Sequence, residues 1–461
     1  MRRPGAQAPG GPGWALVTYT RTLIVVDIAF ATALAPLLPH YAHAAGLSKT
    51  GAGVLMAAFP VGSILGALPG GAIAGRLGSR TAVLLGLLAE GAAALALGWS
   101  STIAIVAAAR FVQGVAGSGV WAGGLAWLTG ATPQQRRGEE IGAAMGFAAA
   151  GTVAGPAIGA FAVWAGPGPA FSVTAGVIWA LMAAGFLLPD PQDVAPRQDC
   201  RQGALRDRAV WAGVALMLLG GLAIGTFDVL APLRLSQLGA GGLAIAGTFF
   251  VAGAAEMPLS PLMGRLAGRR GNAAPGRLLL AAAAVVGITF PQVGGWFAAA
   301  AVLAVGLPAC GSLCVPGSAL LSEGAERLGL HQGVAFGLGS LAWSGGQAAA
   351  ALTAGAAAQV TSDLVPGAVL AGLCLAAAAA LAPGSPLRPG PAAPITELGG
   401  EMPAARPGRL QPATSAARSC PGTADRPGPA TTADITIRGS PAQPRPVTGI
   451  RAAVPSRNWV T

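Results

Sequence analysis

Four carboxylic acids and one arginine lie inside long apolar segments of the chain: Asp27, Glu90, Asp228, Glu256 and Arg110. Burial favours the neutral, protonated form of a carboxylic acid, whereas a nearby cation favours the ionised form. A proton and a cationic molecule therefore compete for such a group. This competition is the chemistry that exchange across a membrane requires, and ionisable residues within membrane spans are functional by default.

The five residues have different expected roles. Asp27 lies in TLIVVDIAFATALAPLLPHY, near the middle of the predicted span 17–39, and is the expected main site of competition, with Asp228 second. Placing an arginine such as Arg110 inside a span costs at least about 2.5 kcal/mol of insertion free energy, so the side chain needs a partner. We expect its charge to tune a neighbouring carboxyl group, the alternative being a purely structural ion pair. Glu90 and Glu256 are further candidates for proton coupling, or polar groups satisfied by adjacent helices.

The composition indicates an integral membrane protein. Of 461 residues, 53% are hydrophobic and only 10% are charged, whereas soluble domains carry about 25% charged residues. The net charge of +11 comes from arginines clustered between apolar runs, and no aromatic-basic patch, zinc spacing or phosphate loop accompanies them. We therefore expect no nucleic-acid partner, no metal and no cofactor. No nucleophile, base and orienting group converge, so an enzyme is not expected either.

The five cysteines do not form a disulfide pattern, because their number is odd and they are spread over apolar segments, the central loop and the tail. Cys310 and Cys314 have a spacing that places them on one helix face. Two such thiols are able to hold a metal or sense oxidants, but packing inside a span explains them without either role.

A membrane span needs about 20 apolar residues, and the sequence offers twelve such segments. The predicted spans are 17–39, 51–74, 81–99, 102–128, 140–164, 169–188, 209–232, 242–264, 277–293, 296–322, 333–358 and 365–382. The first is preceded by a basic N-terminus and followed by AHA, as in a secretory signal, but its length and Asp27 favour a retained span.

The arginines predict the orientation of these spans. With a cytoplasmic N-terminus, one set of loops holds nearly all the basic residues, and the other set holds only Lys49 and Arg234. This asymmetry is the positive-inside pattern, so both termini are expected in the cytoplasm of a multi-pass protein of the cell membrane.

The chain also repeats itself. LAPL occurs at 34–37 and 230–233, and GRLGSR at 75–80 is echoed by GRLAGRR at 264–270. GAAMGF at 142–147 has a looser counterpart in GVAFGL at 333–338. These offsets, all close to 190 residues, predict two parallel six-span halves.

The predicted organisation therefore has five parts. They are a cytoplasmic N-terminus (1–16), a first six-helix bundle (17–188), a central cytoplasmic loop (189–208), a second bundle (209–382) and a disordered, Pro-rich cytoplasmic tail (383–461).

Two glycine patterns carry a more specific signal. In GAIAGRLGSRT, between spans 2 and 3, the small residues suit a tight turn and close helix approach, and the arginines suit a helix C-terminus or pairing with a carboxylate. The pattern residues are Gly71, Arg76, Gly78 and Arg80. In GTVAGPAIGA, in span 5, a glycine face and a proline suit a pliant, close helix contact. Its residues are Gly151, Gly155, Pro156 and Gly159.

These features resemble the major facilitator superfamily, over residues from about 15 to 382. Within it the chain is most similar to the twelve-span drug:proton antiporters, including the vesicular amine transporters. The first glycine pattern resembles the family's gating loop, with Gly75 at its acidic position, and the second resembles its antiporter motif. Spans 1 and 7, with Asp27 and Asp228, resemble the acidic spans of amine and drug transporters. Span 11 departs from them, because Ser340 stands where the amine transporters carry an acid.

The resemblance implies an all-α membrane protein with twelve helices in two pseudo-symmetric halves around a central cavity. The implied function is proton-coupled efflux of small lipophilic or cationic compounds. The expected partners are a small-molecule substrate, protons and membrane lipid, and the expected oligomeric state is a monomer. Two alternatives remain: an exporter of a neutral metabolite such as a sugar, and a membrane sensor or scaffold acting through the tail.

Overall fold

The computed structural model describes residues 12–132, 137–189, 207–328 and 332–382, and within these ranges the regular elements are all helical. The first half contains α1 (Pro12–Thr32), α2 (Leu38–Ala44), α3 (Lys49–Leu77), α4 (Ser79–Trp99), α5 (Ile103–Ala131), α6 (Arg137–Ala165) and α7 (Pro167–Phe186). The second half contains α8 (Arg208–Gln237), α9 (Gly242–Arg270), α10 (Ala273–Thr289), α11 (Trp296–Gly311), α12 (Cys314–Arg327), α13 (Gln332–Val360) and α14 (Leu364–Ala380).

The predicted spans correspond to these helices. In the described ranges, ten helical segments are long and apolar enough to cross a membrane. The last two predicted spans correspond to α13 and to α14, a shorter apolar helix of 17 residues. The all-α membrane fold is therefore confirmed. The division into five parts stays a prediction, and the predicted tail lies outside the described residues.

Two predicted spans are each interrupted. Span 1 consists of α1, a 3-10 turn at Ala35–Leu37, and α2. Pro36 lies in that turn, where its missing N–H leaves no hydrogen bond unmade. Span 10 consists of α11 and α12, with the break at Ser312 and Leu313. The apolar pattern continues through both breaks, so periodicity alone did not reveal them.

The two halves share a packing plan. In the first half α1 packs along α6, and in the second half α8 packs along α13. Across the halves, α3 packs against α13 and α9 packs against α6. Helix α3 of the first half corresponds to α9 of the second, and α6 corresponds to α13. The two contacts between the halves are therefore equivalent, as the sequence repeat predicts.

Several contacts between the halves lie at one end of the helices, which we name the closed end. Here the Lys49 ammonium is ion-paired with Asp363, and the Lys49 backbone N–H donates to Gln359 Oε1 at 2.9 Å. A Cβ atom added to Gly53 would overlap the Ala351 carbonyl oxygen. On the other pair of helices, a Cβ atom added to Gly242 would lie 3.0 Å from Val163.

At the opposite end, which we name the open end, the same four helices are not in glycine-mediated contact. An added Cβ atom would meet no atom within 4 Å at Gly75 of α3, Gly146 of α6, Gly268 of α9 or Gly337 of α13. Among the described residues, the close backbone approaches between the halves thus lie at the closed end and near the middle of the helices, where Gly253 of α9 meets Thr152 of α6.

Candidate functional site

Asp27 and Glu90 lie side by side in the first half. Both side chains are buried, with Asp27 5% exposed and Glu90 fully covered. Gly117 of α5 makes this proximity possible, because an added Cβ atom there would lie 2.9 Å from Asp27 Oδ1 and 3.3 Å from Glu90 Oε1. Three helices, α1, α4 and α5, therefore converge on one point, and the glycine leaves room for the two carboxyl groups.

The two acids differ in their hydrogen bonds. The Trp121 indole N–H donates to Asp27 Oδ2 at 2.6 Å, and this indole is itself only partly buried. Neither Glu90 oxygen has a hydrogen-bond donor among the described residues. A buried carboxylate without a donor or a cation is costly, so two ionised carboxylates in this place are strongly disfavoured.

Arg110 lies on α5, seven residues before Gly117, and is buried, with 2% of its surface exposed. Its Nη1 donates to the Ala31 carbonyl at 3.1 Å and to Gln113 Oε1 at 2.7 Å, and its guanidinium lies 4.8 Å from the centroid of the Phe59 ring. These contacts tie α5 to α1 and α3. Among the described residues, it forms no ion pair with Asp27.

Asp228 is the acid that interacts electrostatically with Arg110. It is partly exposed on α8, in the second half, whereas Arg110 belongs to the first. The sequence analysis expected Arg110 to tune a neighbouring carboxyl group. Asp228, from the other half, is an acid that interacts with Arg110 in this way.

Glu256 lies apart from these groups, where α9 meets the break between α11 and α12. A Cβ atom added to Gly311 would lie 2.7 Å from Glu256 Oε2, and the Ser260 and Ser312 hydroxyls are 3.3 Å apart at the same contact. The helix break also separates Cys310 from Cys314. The expectation that these two cysteines share one helix face is therefore wrong.

The glycine face of α6 packs on α1. A Cβ atom at Gly155 would overlap Thr32 Oγ1, one at Gly151 would lie 2.6 Å from Ile28 Cβ, and one at Gly159 would lie 2.9 Å from Pro36 Cγ. Pro156 is buried and α6 continues through it. The neighbouring face of α6 meets the second half, because a Cβ atom at Gly253 would lie 2.7 Å from the Thr152 carbonyl oxygen. Helix α6 thus lies between the acid-bearing helix and the other half.

The predicted gating loop lies at the open end, between α3 and α4. Gly78 has φ +91°, a conformation that favours glycine, so it makes the tight turn. Arg80 donates to the Phe186 carbonyl and thus caps the C-terminus of α7. Gly71 has open space beside it and Arg76 is exposed. The expectation that Gly71 allows a close helix approach is therefore not met in this conformation.

Two residues of the site were missed by the sequence analysis. Trp121, the donor to Asp27, and Gln113, the acceptor for Arg110, both belong to α5. Gln113 follows Arg110 by three residues, which is a contact spacing on a helix and was available as a signal. Trp121 gave no such signal, because its partner lies on another helix.

Comparison with known proteins identifies relatives of this chain. The sequence model of the Major Facilitator Superfamily matches residues 22–351. A chloramphenicol resistance protein from Streptomyces lividans is 29% identical over 274 residues, covering 56% of this chain and 67% of that protein.

Solved structures with the same fold include three transporters. A mutant form of the nucleoside transporter NupG has a TM-score of 0.63 at 12% identity, over 79% of this chain and 98% of that one. A bacterial homolog of the human lysosomal transporter Spinster, in an inward-facing conformation, has a TM-score of 0.62 at 12% identity, over 81% and 96%. A D-xylose-proton symporter has a TM-score of 0.62 at 14% identity, over 81% and 98%.

Proposed function

The chain belongs to the Major Facilitator Superfamily, and we propose that this membrane transporter couples the export of small lipophilic or cationic compounds to proton entry. The observation that carries the proposal is the pair of buried acids, Asp27 and Glu90, together with the partly exposed Trp121, whose indole is hydrogen-bonded to Asp27. The similarity to a chloramphenicol resistance protein supports export as the direction of transport.

Competition at Asp27 supplies the exchange. The protonated carboxyl group is neutral and suits a buried position, whereas an approaching cation favours the ionised form. A substrate that binds next to Asp27 therefore releases its proton, and a proton that binds there releases the substrate. Asp228 serves as the second such group from the other half, linked electrostatically to Arg110.

Alternating access requires the contact between the halves to move from one end to the other. With the cytoplasmic termini that the arginine pattern predicts, the closed end faces outward and the open end faces the cytoplasm. In this conformation a substrate enters from inside. The glycine face of α6 packs on α1, which carries Asp27, and α6 also packs on α9 of the other half. A movement of α1 that follows a change at Asp27 is therefore passed through α6 to the other half.

A transport assay tests the proposal. Everted membrane vesicles with an imposed proton gradient are supplied with a panel of cationic dyes and antibiotics that includes chloramphenicol, and with a sugar as the neutral comparison. We expect gradient-dependent accumulation of at least one cationic or lipophilic member of the panel. Accumulation of the sugar alone, or of none of the compounds under any gradient, would contradict the proposal.

A further inference from the structure

Glu90 is a buried acid that has no role of its own in the proton exchange proposed at Asp27. It is fully covered, lies in the middle of α4, and has no donor for either oxygen among the described residues. Its Oε1 and Asp27 Oδ1 both lie within 3.3 Å of the same point above Gly117. With no donor nearby among the residues that the structure describes, and an acceptor oxygen of Asp27 beside it, the Glu90 carboxyl group can form a hydrogen bond by donating its own proton, but not by accepting one.

We propose that Glu90 stays protonated through the transport cycle and donates its O–H to Asp27 Oδ1, so that Asp27 alone exchanges the transported proton. This assignment rests on the proposed function. In the ionised state, Asp27 then accepts two hydrogen bonds, from Trp121 at Oδ2 and from Glu90 at Oδ1. In the protonated state, Asp27 takes up one proton from solvent, and Glu90 keeps its own.

The hydrogen-bond inventory supports this division between the two acids. A neutral carboxylic acid has one O–H donor, and an ionised carboxylate has none. The Trp121 N–H is a donor only, so Asp27 Oδ2 is the acceptor in that bond. If Asp27 is the acceptor on both oxygens, Glu90 is the only one of the two acids that has a proton to give. Glu90 is then a positioning residue for Asp27.

No cation takes the place of this proton in the described part of the chain. Arg110 of α5 interacts with Asp228 of α8 and Tyr41 of α2, and Glu140 of α6 is ion-paired with Arg21 of α1 at 2.7 Å. Tyr19 of α1 donates to the Leu181 carbonyl, and Arg80 at the start of α4 donates to the Phe186 carbonyl. The sequence also places Arg137 and Glu139 at the start of α6. Helix α7 carries no ionisable residue, and α3 carries only Lys49 and Arg76 near its ends. None of these groups forms an ion pair with Asp27 or Glu90 in the described ranges.

The test uses the proton itself as the probe, so it needs no substrate. The fluorescence of Trp121 in purified full-length protein is followed as the pH is changed, and a Trp121→Phe variant identifies its signal among the ten tryptophans. We expect a single transition that is lost in Asp27→Asn. Glu90→Gln keeps a donor at the same place, so its transition should lie within about 0.3 pH unit of wild type, a twofold change in proton affinity.

Removing the donor has the opposite effect. In Glu90→Leu the ionised form of Asp27 loses a hydrogen bond, so its proton is held to higher pH, by about one unit or a tenfold change in affinity. Gly117→Ala inserts a methyl group between the two acids and should move the transition in the same direction. Its matched control is Gly119→Ala, where the nearest atom is 3.8 Å away and no shift is expected.

In export assays, Glu90→Gln should retain gradient-driven efflux within about tenfold of wild type, whereas Glu90→Leu should change its pH profile. A Glu90→Gln transition displaced to lower pH by about one unit would overturn the proposal, because it would show that Glu90 is ionised in wild type. A shift of the wild-type transition by sodium ions would also overturn it, in favour of a cation between the acids. An intact titration without any export would refute the proposed function alone.

Discussion

The sequence LAPL occurs once in each half of the chain, and the two copies fold differently. At 34–37 it forms the break between α1 and α2, whereas at 230–233 it lies within the continuous helix α8. Gly159 of α6 packs directly on the first copy, at Pro36. In the second half, Gly346 of α13 packs earlier along its partner, at the Leu218 carbonyl. The same four residues therefore adopt two conformations in two different packing environments.

The halves also differ in where they hold charge. In the first half, Asp27, Glu90 and Arg110 are all buried. In the second half, Asp228 and Glu256 are both partly exposed. The LAPL alignment places Ala223, fully buried, at the position equivalent to Asp27. A shared helical framework thus carries its most deeply buried ionisable groups in the first half, where we propose the proton exchange takes place.

The largest expected effect comes from removing the charge at Asp27. Asp27→Asn keeps the shape of the side chain but cannot titrate, so it should slow proton-driven efflux at least about 100-fold, equivalent to about 2.7 kcal/mol. Asp228→Asn, in the other half, should reduce efflux less. Asp27→Glu should keep partial activity with a shifted pH optimum. The measurement is initial efflux rate in everted vesicles, and equal losses in Asp27→Asn and Asp228→Asn would remove the distinction between the halves.

A somewhat smaller effect is expected from filling the glycine contacts. Gly155→Leu forces α6 away from α1, and Gly346→Leu does the same for α13 and α8, at a typical cost of about 1–3 kcal/mol. Efflux should fall about tenfold or more while the protein remains inserted. Gly345→Leu is the matched control, because that neighbouring glycine has no atom within 4 Å of an added Cβ. Normal efflux by Gly155→Leu at normal expression would show that this contact is not needed.

Arg110→Ala should change the pH dependence more than the maximum rate. Without this positive charge, nearby carboxyl groups keep their protons to higher pH, so the pH optimum should move upward. Arg110→Lys retains the charge and should move it less. We expect Asp228 to be the acid through which this effect operates, because it interacts electrostatically with Arg110, so the shift should disappear when Asp228→Asn is combined with Arg110→Ala. A persisting shift in the double variant would indicate Asp27 instead.

The smallest effect is expected at the closed end. Lys49→Met removes the ion pair with Asp363, in which the lysine side chain is partly exposed, so the pair contributes about 1 kcal/mol or less. We expect a change in efflux of no more than about fivefold. Asp363→Asn should have the same effect, and the double variant should be no worse than either single one. Additive losses would show that the two side chains act separately.

The sequence predicted most of the fold and fewer of the contacts. Helix positions follow from the length of apolar runs, and the repeat indicated two similar halves, because both depend on local pattern and composition. The proximity of Asp27 to Glu90 does not follow from local pattern, because it depends on Gly117 of a third helix leaving space between the two side chains. The electrostatic interaction of Arg110 with Asp228 likewise depends on how the two halves meet. Contacts of this kind are set by tertiary packing, which a single sequence does not display.

The central claim is that the proton exchanged for substrate is carried by Asp27 in the first half. The most direct measurement is the proton release that follows substrate addition to purified protein in weakly buffered solution, recorded across a range of pH. Wild type and Glu256→Gln should release protons, and Asp27→Asn should release none at any pH. Release from Asp27→Asn at the wild-type level would contradict the account, because it would show that the proton travels by another group.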